Sequence, residues 1–232
     1  MSTPKLVLDI ETAGMDFESL DELSKEYMLK YAQSDDEEKE IKESLAFYPL
    51  TGEVVAIGVL NPDTGKAQIL CQNKGIKGKQ VDKINDNCQL FWGTEKEIIE
   101  KFWELSNSYK TFISFNGRGF DIPYLVIRSA ILGIRPSKNL MANRYTSYQS
   151  NQALHIDLAD QLSFYGAVRR KFSLHMYTKA FGISSPKEEG VKGEDVTKMF
   201  NEGEIFDIAR YNLRDLIATA ELYKYWDNYI NL

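Results

Sequence analysis

The sequence predicts an α/β fold, a mixed five-stranded sheet flanked by helices, with a helical insertion after the first strand. Three observations predict it. An apolar run opens the chain, a hairpin pattern surrounds residues 61–65, and from Thr94 onward strand and helix patterns alternate. Hairpin strands first and alternating elements later give one sheet both antiparallel and parallel neighbours. A chain of 232 residues, 43% hydrophobic and 12% aromatic, can bury one sizeable core, so a single domain over 1–232 is expected.

The first strand is Lys5 to Thr12. Phe17, Leu20, Leu23, Tyr27 and Tyr31 then recur at helical spacing, and Asp35 to Leu45 gives a second, more charged helical stretch; residues 16–45 form the acidic insertion. Glu53 to Leu60 is β-branched and apolar, 61–65 is a turn, and Lys66 to Cys71 returns as its hairpin partner. Asn73 to Asn87, rich in Lys, Gly and Asn, is expected to be a loop with Lys74, Lys77, Lys79 and Lys83 exposed. Thr94 to Ser108 reads as an amphipathic helix with a Thr94–Glu97 capping box. Thr111 to Phe115 is a short buried strand, about Asp121 to Leu132 a helix, and Ala153 to Asp157 the fifth strand. The remainder, from Leu158, is mainly helical, with a Gly-rich loop near Gly182 to Gly193.

Composition excludes several classes. No stretch approaches the roughly 18 consecutive apolar residues of a membrane span, and the chain enters a strand almost at once where a signal segment would stand, so a cytoplasmic protein is expected. Cys71 and Cys88 are the only cysteines and lack metal-ligand spacing, which argues for reduced thiols over a disulfide framework or zinc site. The formal net charge is -6, yet of 34 acidic and 28 basic residues, eleven acidic and four basic fall within 16–45. The rest of the chain is close to neutral and can hold a phosphate backbone.

Positions two apart in a strand share a face, so Asp9 and Glu11 project together from a strand that otherwise belongs to the core. No Lys or Arg follows Lys5 within the run, and two such carboxylates need protons, cations or metal. A solvated strand exit would also explain the pair taken alone. Asp121 follows a buried strand, at the strand end where ligands gather in α/β sheets; it also reads as an ordinary helix N-cap with Pro123 in the first turn. Asp215 interrupts a helical stripe of Ile208, Tyr211, Ala218, Leu222, Tyr225 and Tyr229, and needs either a buried cation or a metal.

Taken together and in order, these motifs resemble the DEDD superfamily of 3′-to-5′ exonucleases, on the ribonuclease H-like fold. Asp9-Ile10-Glu11-Thr12 looks like its first motif, Asn116 through Asp121 its second and Tyr211-Asn212-Leu213-Arg214-Asp215 its third. Tyr211 marks the tyrosine-containing subgroup; the histidine subgroup would carry His where this chain has Arg210. Phe47 to Leu50 and Leu154 to Asp160 look like predicted stand-alone exonucleases similar to family B polymerase proofreading domains.

The resemblance implies two divalent ions, Mg²⁺ or Mn²⁺, with Asp9 bridging them, Glu11 and Asp215 completing one site, and Asp121 holding the second largely through water. It implies that Tyr211 orients the attacking water and that Thr12, Asn116 and Phe120 contact the 3′-terminal nucleotides. The expected reaction is metal-dependent release of nucleoside 5′-monophosphates from a 3′ end, with single-stranded DNA the preferred substrate and RNA the alternative. A non-catalytic nucleic-acid-binding module, or a structural domain docking a partner through its acidic insertion, are the competing readings. His155, Asp157 and Asp160 are read as stabilising the strand-to-helix junction. Arg169, Arg170 and Lys171 could engage phosphates or simply face solvent.

Overall fold

The computed structural model describes residues 3–74, 81–184 and 193–231. Alternation along β1 (Lys5–Gly14) divides them into layers: Leu6, Leu8 and Ile10 enter one core, Val7 and Ala13 the other. Asp9 and Glu11 have the parity of Val7 and Ala13, so they face the second core.

β1 pairs antiparallel with β2 (Gly52–Leu60), which pairs antiparallel with β3 (Ala67–Gln72) across the 61–65 turn. The Asn61 carbonyl, accepting from Thr64 and Gly65, closes that turn. On its other side β1 runs parallel to β6 (Thr111–Ser114), and β6 parallel to β7 (Leu154–Asp157). Beyond β3 lie two strands that the sequence reading did not contain: β5 (Cys88–Gly93), parallel to β3, and β4 (Lys83–Asn85), antiparallel to β5. The sheet is therefore seven-stranded, in the order β4-β5-β3-β2-β1-β6-β7, and not five-stranded. The stretch expected to be a loop forms β4 instead; its residues 75–80, including Lys77 and Lys79, lie outside the described residues. Most of the Gly-rich loop expected near 182–193 does too. Cys71 and Cys88 sit buried in β3 and β5, where burial pushes both thiols up, Cys88 to about 11.

One face of the sheet is covered by α3 (Glu95–Ser106) and α4 (Asp121–Ile131), whose Ile98, Phe102, Ile122 and Leu125 meet Leu6, Leu8 and Ile57. The expected Thr94–Glu97 capping box starts α3. Glu95, in its first turn, is buried; it accepts from the Val54 N–H at 2.8 Å and from Arg128 of α4 at 2.8 and 2.6 Å. The other face is covered by α5 (Leu158–Leu162), α6 (Leu174–Ala180), α7 (Val196–Glu202) and α8 (Ile205–Tyr229), through Leu158, Leu174, Val196, Ile208 and Leu216 among others. Gly203, at φ 79°, takes the left-handed position that ends α7 and lets α8 begin two residues later.

The insertion contains α1 (Glu22–Leu29) and α2 (Asp35–Glu43). Its expected stripe is only partly buried: Phe17 is covered, whereas Leu23, Tyr27 and Tyr31 are exposed. In α8 the stripe holds as far as Leu222, after which Tyr223 and Trp226 replace Tyr225 and Tyr229 as the buried residues. Among the described residues no helix is long and apolar enough to cross a membrane.

Candidate active site

β1 outruns its parallel neighbour: it pairs with β6 only over Lys5 to Val7, and continues past the end of that strand. Ile10 therefore presents its N–H where β6 has already turned away, and Asp121 Oδ1 accepts from it at 3.0 Å. The sequence reading of Asp121 as an N-cap is thus replaced: Phe120 occupies the cap position without a capping bond, and Asp121 begins the helix with its carboxylate turned back to β1. The approach needs Gly117, since a Cβ there would strike the Ser114 side chain.

Asp9 and Glu11 meet α8 on the other face. Oxygens of Asp9, Glu11 and Asp215 lie within 4.8 Å of one another. Tyr211 stands one turn before Asp215 in α8, where burial and then the Asp215 carboxylate push the pKa of its hydroxyl up. Asp9, Glu11 and Asp121 form no ion pair among the described residues. Burial, reinforced by Asp121, Asp215 and Glu11, holds the Asp9 carboxyl well above the usual carboxylate range. Glu11 is raised by burial and then by Asp215. Burial pushes Asp121 up to about 7 despite the Ile10 N–H. Several carboxylates held close together repel one another and favour protonation unless a cation joins them.

Asn212 is the residue that sequence reasoning missed. It is fully buried, and its Nδ2 donates to Asp9 Oδ2 at 2.7 Å and to Glu11 Oε1 at 3.5 Å. Among the described residues its Oδ1 has no hydrogen-bond partner, and it lies against Gly58, the β2 residue in register with Asp9; a Cβ on Gly58 would collide with it. The signal was present in Tyr211-Asn212, because an amide on the buried side of a helix must find a partner.

The remaining expected residues surround this cluster. Asn116 is exposed at φ 63° in the turn after β6. Phe120 is half-buried, with its ring 5.5 Å from that of Tyr124. Thr12 is buried and its hydroxyl donates to Ala46 O at 2.8 Å, so that hydroxyl is committed to the backbone just after the insertion. Asp157 fixes the second motif, accepting from the N–H groups of Asn116, Arg118 and Ala159. His155 is buried with Nε2 2.8 Å from Ser114 Oγ and Nδ1 3.0 Å from Leu140 O, while Asp160 pairs with Arg144. Asp157, as the N-cap of α5, braces the strand-to-helix junction, while His155 ties β7 to β6 and to Leu140 and Asp160 reaches out to Arg144.

Residues 51–229 match a family described as predicted 3′-5′ exonucleases related to the exonuclease domain of PolB. That range holds the second and third motifs; Asp9 and Glu11 precede it. The chain is 32% identical over 149 residues to a DNA polymerase of Desulfurococcus sp. (strain Tok), covering 56% of this chain and 18% of that one. It is 31% identical over 190 residues to a DNA polymerase of Thermococcus hydrothermalis, covering 74% of this chain and 10% of that one. It thus spans less than a fifth of the length of these relatives. The family B DNA polymerase from the hyperthermophilic archaeon Pyrobaculum calidifontis shares its fold, with a TM-score of 0.59 over 97% of this chain and 25% of the other, at 18% identity.

Proposed function

Because the chain belongs to the family of predicted 3′-5′ exonucleases related to the exonuclease domain of PolB, we propose that it hydrolyses nucleic acid from the 3′ end, with single-stranded DNA as preferred substrate. The observation that carries this reading is the convergence of Asp9, Glu11 and Asp215, from opposite ends of the chain, within 4.8 Å. The activity would reside in a single domain, 1–232, with 16–45 as its acidic insertion.

The donor set is all carboxylate oxygen, which suits hard divalent ions such as Mg²⁺ or Mn²⁺. Asp9, Glu11 and Asp215 would hold one ion and Asp121, with Asp9, a second. When bound, the pair makes an attacking water more acidic and stabilises the departing 3′ oxygen. Water then forms a bond to the phosphorus of the last nucleotide as the bond from phosphorus to the preceding 3′ oxygen breaks. The products are a nucleoside 5′-monophosphate and a chain one unit shorter.

The protein's own groups position this step. Tyr211, as in the tyrosine subgroup, would orient the water through its hydroxyl; its pKa is raised by burial and by Asp215, so the group stays protonated and able to donate. Asn116 would hydrogen-bond the terminal nucleotide and Phe120 would stack on it. Thr12, with its hydroxyl held by Ala46, would contribute through its backbone.

The test is incubation of a 5′-labelled single-stranded DNA, and a matched RNA, with Mg²⁺, Mn²⁺ or chelator. A metal-dependent ladder shortening from the 3′ end, absent in Asp9→Ala, is expected. No cleavage of either strand would overturn the proposal.

A further inference from the structure

Past β7 and α5 the chain makes a turn that its own side chains resist. Phe164 and Tyr165 have φ of 48° and 56°, successive left-handed positions that glycine takes far more readily. The turn is held from outside. The Tyr165 hydroxyl accepts from Gln161 Nε2 at 2.7 Å, and its ring lies 4.6 Å from that of Tyr145. Arg144, paired with Asp160, sits over the same ring. The result is that Phe164 is 58% exposed, an apolar ring held in water by a strained backbone.

Around it the surface is aromatic and basic. Tyr148 is 77% exposed, two residues from Thr146, whose hydroxyl reaches that of Tyr165 at 3.5 Å. Arg169, Arg170 and Lys171 follow the turn, all exposed and none in an ion pair among the described residues. Arg118 ties this surface to the catalytic cluster. Its N–H donates to Asp157 while its guanidinium donates to Leu140 O at 3.1 Å and Met141 O at 3.4 Å. The loop bearing Asp121 is thereby pinned to Leu140 and Met141, where the segment leading to Tyr148 begins.

We propose that this surface is the track for the single strand upstream of the reacting 3′ end, with Phe164 and Tyr148 stacking bases and Arg169, Arg170 and Lys171 holding phosphates. Every base offers a π-face, so exposed rings accompanied by exposed cations suit single strands of any sequence. Cations that neutralise phosphates release the strand's condensed counterions, a role open to three cations without carboxylate partners among the described residues, of which Arg170 is steadied by the Phe172 ring 5.3 Å away. The proposal rests on the nucleic-acid reading above, and its test separates the two.

Binding is measured by fluorescence anisotropy with labelled DNA and RNA of about 20 nucleotides, in an Asp9→Ala background that does not cut. Phe164→Ala, and alanine at Arg169, Arg170 and Lys171 together, should each weaken binding about tenfold, the charge variant with a shallower salt dependence. Phe164→Trp should restore affinity. Phe164→Gly relieves the backbone, so it should melt no lower than the parent yet bind as poorly as Phe164→Ala; a purely structural ring would lose stability instead. Unchanged affinity in both the Phe164→Ala and charge variants, or no binding by the parent, overturns the track. So does self-association lost in Phe164→Ala with oligonucleotide affinity intact. Binding lost in the variants, with no cleavage by the native chain, would leave the track standing and remove the exonuclease reading.

Discussion

Asn212 donates to both of the first two carboxylates, and the lack of a side chain on Gly58 gives its amide room. A group that orients metal-binding side chains without binding metal itself commonly changes affinity or activity 10–100-fold. Asn212→Ala should therefore lower turnover and weaken calorimetric Mn²⁺ binding by about that range, while Gly58→Ala shifts both the same way by displacing the amide. Unaltered Mn²⁺ affinity in both variants would count against this role. The raised carboxyl groups make a second expectation. Asp121 is lifted from 3.8 to about 7, so its stabilising contribution to the metal-free protein is complete below its ordinary value and lost as pH rises through about 7. His155 has the opposite sign, lowered from 6.5 to about 4 by burial; its contribution is present above 6.5 and lost as pH falls through about 4. The metal-free melting temperature should thus decline on the alkaline side, less so in Asp121→Asn, and Mg²⁺ should raise it more at pH 8 than at pH 5. A flat metal-free profile from pH 5 to 8 would contradict this. The carboxylates were legible in the sequence because strand parity is strict. Asn212 was not, because an Asn in a helix is usually solvated and only the fold reveals what it faces.

At the level of elements, the sequence conveyed β1, the β2–β3 hairpin, α3 with its cap, and the helix after β6. It failed where composition and packing disagreed. β5 follows a Lys- and Asn-rich stretch, and its Phe91 and Trp92 are only half-buried, so the pattern around Cys88 to Gly93 is weak. Helical spacing in the insertion placed Leu23 and Tyr27 in one helix, α1, whereas Tyr31 falls beyond its end, and spacing says which residues share a side, not that anything covers it. Equally invisible was the Glu95–Arg128 pair, whose partners lie on separate helices. Arg128 also donates to Pro49 O at 3.1 Å, so one guanidinium joins α3, α4 and the entry to β2. Removing one member leaves a buried charge alone, and Arg128→Ala should cost about 3–5 kcal/mol in a urea melt. A loss below 1 kcal/mol would mean that water reaches Glu95 and the pair is ornamental.

Across the whole molecule, three layers bring Asp9 and Asn212 together from positions 203 residues apart, so the carboxylate cluster exists only once both ends of the chain have docked. The charge asymmetry acts on the same scale: residues 16–45 hold eleven acidic and four basic residues, and the rest of the chain is close to neutral. The sheet also encloses both thiols, Cys71 in β3 and Cys88 in β5, as protonated and inaccessible groups. A reagent that alkylates thiolates can reach them only when those strands separate. Labelling of the native protein should accordingly be slow, and it should accelerate with denaturant in step with unfolding. Rapid modification of both in native buffer would refute that. The two cysteines thus serve as a built-in clock for sheet opening, needing no engineered probe.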